Sequence, residues 1–314
     1  MQLDAYKALR ESAGVFDLTG RGHLRVTGAD RARLLHAMTT NHIEALHPGA
    51  GCYAFFLNAQ GKVLADVNVL ATDTSLLLDL EADRAQPMYE HLDRYIIADD
   101  AEVANLTDHV AVIALEGPQA PAVIERMGID APEEFRWVEW RTWVVAGLSA
   151  TGERGFRFFV PRAEGPGVVN WIAGAGATPA AFAEWNVVRL ERGVPRYGVD
   201  ITEREIPHET RLVDHAVNFS KGCYLGQEIV ERVRSRGRPN RALTNLLVIG
   251  HVAPAPRAKL TIDGQEVGEI TSAAYSPSVG AVVAMGYVRV EAMHRAVHFE
   301  VEGGFSAGIA GKLS

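Results

Sequence analysis

A chain of 314 residues is too long for one hydrophobic core and is sized for two or three domains, and its 47% hydrophobic and 22% charged residues are the balance of a packed globular protein. The formal net charge of -8, with a pI near 5.8, excludes a surface given over to neutralising phosphates, while leaving room for a local basic patch. Cys52 and Cys223 are the only cysteines, which excludes a disulfide framework and an all-cysteine metal cage within the chain.

The start, "MQLDAYKALRESAGVFDLTG", is charged and amphipathic and lacks the apolar centre of a signal peptide. No apolar run reaches the roughly 18 to 20 residues that cross a bilayer, so a cytoplasmic protein with no membrane partner is expected. "RGHLRVTG" (21–28) alternates like a strand, and "ADRARLLHAMTT" follows as a helix with Leu34, Leu35 and Met38 on one face. "GCYAFFLNAQGKVLADVNVL" then gives two apolar runs parted by Asn58-Ala59-Gln60-Gly61, and "SLLLDL" adds a third, the pattern of an antiparallel meander.

Helical spacing returns at Met88, Leu92 and Tyr95, and "HVAVIALEGPQAPAVIERMG" reads as a buried strand stopped by Gly117-Pro118 before another helix. Residues 136–160, rich in aromatic and β-branched types broken by glycine, predict two or three strands. A long helix, "PAAFAEWNVVRLERG", stops at Gly193 and Pro195. After "RSRGRPNR" the texture becomes short strands with Gly, Pro and Asp turns, predicting a small β-barrel or sandwich over 241–314. The fold class is therefore α+β, divided as 1–107, a central α+β unit at 108–200, a motif segment and linker at 201–240, and the terminal β unit.

Four groups could carry chemistry. In "VVRLERGVPRYG", Glu191 lies among Arg189, Arg192 and Arg196; a carboxylate there either accepts two parallel N–H donors of a heterocycle or pairs with an arginine at the surface. Asp66 interrupts the apolar strand "VLADVNVL", so it either faces solvent or lines a cavity; Leu64, Asp66 and Asn68 share one strand face, and Val63, Ala65, Val67 and Val69 the other. Cys223 is a nucleophile whose thiolate Lys221 and Arg232 would favour, with His208 and His215 close in sequence though spacing alone does not establish a dyad, or it is one small packed residue. The arginines at 232, 234, 236, 238 and 241 clamp a polyanion or RNA, or belong to an exposed linker. No Walker A, GxSxG or HExxH sequence is present, and "GAGA" at 174–177 lacks the spacing of a dinucleotide fingerprint.

"KGCYLGQEIVER" (221–232) closely resembles the signature of YgfZ-type proteins, a branch of the superfamily containing the T-protein (aminomethyltransferase) of the glycine cleavage system. The resemblance covers nearly the whole chain: "GVFDLTGRGHLRVTGADRARLLHAMTTN" and the residues following it resemble the superfamily's N-terminal block, "ALEGPQA" its central block, "LERGVPRYGVDITEREIPHE" its folate-associated block and "GEITSAAYSPSVGAVVAMGYV" its barrel. It implies domains ringed around a central channel for tetrahydrofolate or a one-carbon derivative, with a C-terminal β-barrel. It also implies that Glu191 accepts the donor pair of a pterin ring, with Arg189, Tyr197, Asn41, Lys221, Gly222, Tyr224, Gln227 and Glu228 as further cofactor-binding residues. Asp66 aligns with the acid that stabilises positive charge developing beside the transferred one-carbon unit, and Cys223 becomes a second catalytic candidate.

Some positions depart from the T-protein pattern. "LADVNV" keeps one acid where a pair is typical, "SATGERGF" lacks the leading Arg and the Tyr of the related block, and "KGCYLGQE" replaces a K-x-F-I-G type segment. The resemblance thus implies a folate-binding accessory protein for assembly or repair of iron-sulfur clusters, including those of tRNA-modifying enzymes, with such enzymes as clients and direct tRNA contact open to the arginine run. The alternative it implies is a tetrahydrofolate-dependent aminomethyl or one-carbon transferase. One thiol cannot hold a conventional cluster, and no resident metal is expected.

Overall fold

In the computed structural model, which describes residues 1–295 and 298–311, helix α1 (Leu3–Glu11) and strand β1 (Gly14–Asp17) come first. They are followed by β2 (Arg21–Thr27), α2 (Arg31–Met38), β3 (Gly51–Leu57), β4 (Val63–Ala71), β5 (Ser75–Glu81), α3 (Ala82–Tyr95) and β6 (Glu102–Asn105). Strands β2 to β6 form one antiparallel sheet in the order β3-β4-β5-β2-β6. The meander forms because β3 and β4 are joined by a side-chain-held turn: Asn58 Oδ1 accepts from the backbone N–H of Gln60 (3.0 Å) and of Lys62 (2.9 Å). Ala65, Val67 and Val69 of β4 are fully buried and pack with Leu35 of α2 and Leu92 of α3, which leaves Asp66 and Asn68 on the opposite face.

The second unit contains β7 (Val110–Glu116), α4 (Ala120–Arg126), β8 (Trp137–Trp140), β9 (Trp143–Ala146), β10 (Gly155–Pro161), α5 (Gly165–Gly174), β11 (Thr178–Pro179) and α6 (Phe182–Arg192). Its sheet runs β11-β1-β7-β10-β9-β8, with only β1 and β11 parallel among these pairs. Residues 14–17, grouped by sequence order with the first unit, thus give a strand to the second sheet. Strand β7 is apolar from Val110 to Leu115 because both its faces are covered. Ile113 and Leu115 pack toward α4 and α5, whereas Val112 and Ala114 pack with Tyr6 and Leu9 of α1 and with Trp185 and Val188 of α6.

Two helices, α7 (Val213–Ala216) and α8 (Gln227–Arg236), then return to the first sheet. The terminal strands β12 (Arg241–Val248), β13 (Lys259–Ile262), β14 (Gln265–Ser276), β15 (Ala281–Arg289), β16 (His298–Val301) and β17 (Phe305–Ile309) close into a barrel ordered β12-β15-β14-β13-β16-β17, so the barrel and not the sandwich is adopted. Residues 296–297 and 312–314 of the expected terminal unit lie outside the described residues. Among the described residues no helix is long and apolar enough to cross a membrane.

Candidate functional site

Between the two sheets and the end of α6 lies a cavity of about 430 Å³, a volume within the range of small-molecule sites. Its wall takes Tyr53 from β3, Asp66 and Asn68 from β4, Arg157 from β10, and Trp185 and Arg189 from α6, with Arg21 and Glu81 from the ends of β2 and β5. The segment after α6 adds Pro195, Arg196 and Tyr197. Asp66 faces this cavity and not open solvent. Its Oδ2 accepts from the Tyr53 hydroxyl at 3.0 Å, while its buried Oδ1 has no hydrogen-bond partner among the described residues. Burial pushes the Asp66 carboxyl above the ordinary carboxylate range, against the pull of the Arg21 guanidinium.

Beneath Asp66 is a buried charge network that joins the sheets. Arg21 Nε donates to Asp79 Oδ1 at 2.7 Å, Arg157 of the second sheet donates to Asp79 Oδ2, and Asn68 Nδ2 donates to the same oxygen at 3.0 Å. Burial pushes the Asp79 carboxyl up, but the two guanidiniums outweigh it and hold the group well below its usual range. Glu81 continues the chain, accepting from Arg21 Nη1 and from Arg196 Nη2, each at 2.9 Å. Because these cations are already paired, the acid with spare accepting capacity in this group is Asp66. At the wall, the exposed Phe182 meets Trp185 edge-on with ring centroids 5.0 Å apart, and the Arg196 guanidinium carbon lies 5.7 Å from the Phe182 ring centre. These apolar faces suit a flat heterocycle.

Of the residues singled out by sequence, Asp66, Arg189, Arg196, Tyr197 and His215 line the cavity. Arg189 is fully committed, with Nη1 donating to Asp200 Oδ2 at 2.6 Å and Nε to Asn186 at 2.9 Å. Tyr197 donates to the Leu64 carbonyl at 2.5 Å and so ties the segment after α6 to β4. Glu191 does not reach the wall. Its Oε1 accepts from the hydroxyls of Tyr6 and Ser276, each at 2.5 Å, and Arg10 Nε lies 3.1 Å from Oε2, so this carboxylate joins α1, α6 and the barrel. Asn41 is also off the wall, donating to the carbonyls of Tyr53 (2.8 Å) and His215 (3.2 Å). His215 itself lines the cavity, whereas His208 packs beside Phe219. Among the described residues no hydrogen bond joins either histidine to Cys223.

The segment 221–228 lies away from the cavity and fastens the linker to the first sheet. The buried Lys221 ammonium donates to the carbonyls of His36, Thr39 (2.6 Å) and Asn41 (2.9 Å), capping the end of α2. Burial lowers its pKa to about 8. The thiol it acts on is that of Cys52, which burial pushes up to about 12 against the Lys221 charge. Tyr224 is buried among Leu57, Val63 and Tyr197. Gly226, at φ +83°, passes so close to the β3–β4 turn that an added Cβ would sit 2.5 Å from the Asn58 carbonyl oxygen. Gln227 Oε1 accepts from the Tyr224 N–H at 3.3 Å. Gly222, Cys223 and Glu228 are exposed, and Glu228 pairs with Arg232 at 3.2 Å.

The arginine run is largely answered by acids. Arg234 lies 3.6 Å from Glu231, and Arg241 contacts Glu205 (2.9 Å) and Glu209 (3.2 Å). The Arg236 side chain lies outside what is described. Sequence reasoning overlooked Tyr53, Asp79, Arg157 and Glu116. Glu116 is fully buried and holds the wall segment 149–151 by accepting from Ser149 Oγ at 3.0 Å and the Ala150 N–H at 2.6 Å. Asp79 in "SLLLDL" and Arg157 in "GFRFFV" are charges interrupting apolar strands, the same signal that marks Asp66.

Residues 2–221 match the family described as the GCVT N-terminal domain, and 241–311 match the glycine cleavage T-protein C-terminal barrel domain. The chain is 30% identical to the aminomethyltransferase of Streptomyces avermitilis over 308 residues, covering 93% of this chain and 82% of that one. It is 29% identical to the aminomethyltransferase of Streptomyces coelicolor over 300 residues, with coverage of 91% and 80%. The crystal structure of the glycine cleavage system aminomethyltransferase T from Bartonella henselae has the same fold, with a TM-score of 0.87 over 98% of this chain and 87% of that one, at 24% identity.

Proposed function

Since the chain belongs to the glycine cleavage T-protein family, we propose that it is a tetrahydrofolate-dependent one-carbon transferase that works at Asp66, with an aminomethyl group as the first unit to test. The observation that carries this reading is the buried Asp66 Oδ1, without a hydrogen-bond partner among the described residues, on the wall of a cavity of about 430 Å³. When bound, tetrahydrofolate supplies a nucleophilic nitrogen that takes up the one-carbon unit. Asp66 would stabilise the positive charge that develops beside it. Tyr53 holds one carboxylate oxygen and leaves the other free for the ligand. Phe182 and Trp185 would pack against the flat rings, and Tyr197 keeps the wall in place. Glu191 has no part in this reading, because its carboxylate is engaged on the opposite side of α6.

The test is a tetrahydrofolate titration followed by a turnover assay with an aminomethylated lipoyl carrier. Wild type is expected to bind folate and release ammonia. Asp66→Asn is expected to lose roughly 10²- to 10³-fold in turnover at nearly unchanged folate affinity. Failure of the wild type to bind folate would sink the site. Binding without turnover would remove the aminomethyl donor from the proposal and leave the folate site standing.

A second reading starts from the exposed Cys223 in the YgfZ-like segment, which is not among the residues lining the cavity. In it the protein serves iron-sulfur enzymes, including tRNA-modifying ones, as a folate-binding accessory factor. Disruption of its gene should then lower cluster-dependent activities, with rescue by wild type and not by Cys223→Ala. Full rescue by that variant would dismiss a role for the thiol.

A further inference from the structure

Outside the cavity, α2 and the turn that follows it bring together donors that the one-carbon reaction does not use. His36 lies in the last turn of α2, His42 caps the start of the short 3₁₀ segment that follows, and Glu44 lies within it. One ligand atom from each of the three lies within 4.8 Å of the others. His36 Nδ1 is 3.7 Å from Glu44 Oε2, and the two imidazoles meet edge-on with ring centroids 5.0 Å apart.

The His36 ring is buried, yet the hydrogen bond that its Nδ1 accepts from the Glu44 N–H is a long one, 3.5 Å. On its other side Gly222 brings no side chain, and an added Cβ there would lie 3.8 Å from Nε2. The ring therefore has a weakly satisfied nitrogen next to a second imidazole and a carboxylate. The Glu44 side chain is about half exposed, at 48%, and can swing to close the set. The Lys221 ammonium, which donates to the His36 carbonyl, is held by three carbonyl oxygens. Two imidazoles and one carboxylate are the donor set of borderline divalent metals, which bind them at roughly 2.0 to 2.2 Å.

We propose that His36, His42 and Glu44 form a binding site for a divalent transition metal of the zinc class, with an open coordination position on the side of the 221–223 segment. None of the three lines the folate cavity, so the proposal stands apart from the one-carbon reading and departs from the sequence expectation of no metal.

The experiment uses tag-free, chelator-treated full-length protein titrated with Co²⁺ and then Zn²⁺. Wild type is expected to bind a single equivalent of Co²⁺ with visible d–d absorption, which Zn²⁺ displaces. His42→Ala and Glu44→Gln, both at solvent-accessible positions, are expected to weaken binding by roughly tenfold or more without changing folate affinity or melting temperature. No binding by wild type, or equal affinity in wild type and both variants, would overturn the site.

Discussion

Tyr53 and Glu191 differ in what their hydrogen bonds accomplish. The Tyr53 hydroxyl favours the charged form of Asp66, opposing the burial that raises the carboxyl pKa. Tyr53→Phe should therefore raise that pKa further and move the acid limb of the rate against pH toward higher pH; an unmoved limb would show that Asp66 ionisation does not govern turnover. Glu191 instead gathers Tyr6, Arg10 and Ser276. Glu191→Ala should lower stability by about 1–3 kcal/mol, read as a drop in melting temperature, with folate affinity unchanged. The helix explains why the two neighbours part. Glu191 follows Arg189 by two residues on α6, about 200° further round the helix, so when Arg189 faces the cavity Glu191 faces away.

The segment 221–228 behaves as a fastening element, and its glycines should separate in an experiment. At Gly226 both the positive φ and the 2.5 Å approach to the Asn58 oxygen exclude a methyl group, so Gly226→Ala should cost roughly 2–4 kcal/mol. Gly222→Ala meets only an ordinary 3.8 Å contact and should stay within about 0.5 kcal/mol of wild type. Urea midpoints would decide, and equal midpoints would refute the docking account. The elements themselves were legible in sequence wherever one face is buried. The alternation of β4 gives the Asp66 face, and the Asn58–Gly61 turn gives the hairpin. Partners were not legible where they depend on pairs distant in the chain. Asp79 and Arg157 look like isolated charges until β5 and β10 are placed together, and Lys221 looks like an activator of Cys223 until the end of α2 is found around it.

At the scale of the whole molecule, the buried network makes stability depend on pH. Burial lowers the His23 pKa from 6.5 to about 4, so the folded chain refuses a proton that the unfolded chain accepts. This contribution is complete above pH 6.5 and is lost as pH falls toward 4. Asp79, also depressed, adds to the loss below its ordinary value of 3.8, whereas Asp66 and Glu116, both raised by burial, act in the opposite sense. His23→Leu should therefore flatten the decline in melting temperature between pH 6.5 and 4; the same slope in the variant would refute a neutral buried His23. The second sheet carries another consequence, one of timing. Gly14 of β1 pairs with Glu116 on one side and with Thr178 on the other. At roughly 5–20 residues per second of synthesis, the emerging β1 waits on the order of ten seconds or more for β11, with the apolar side of α1 uncovered. During translation the first sheet, complete with β6, can close before β1 meets either of its partners, β7 and then β11.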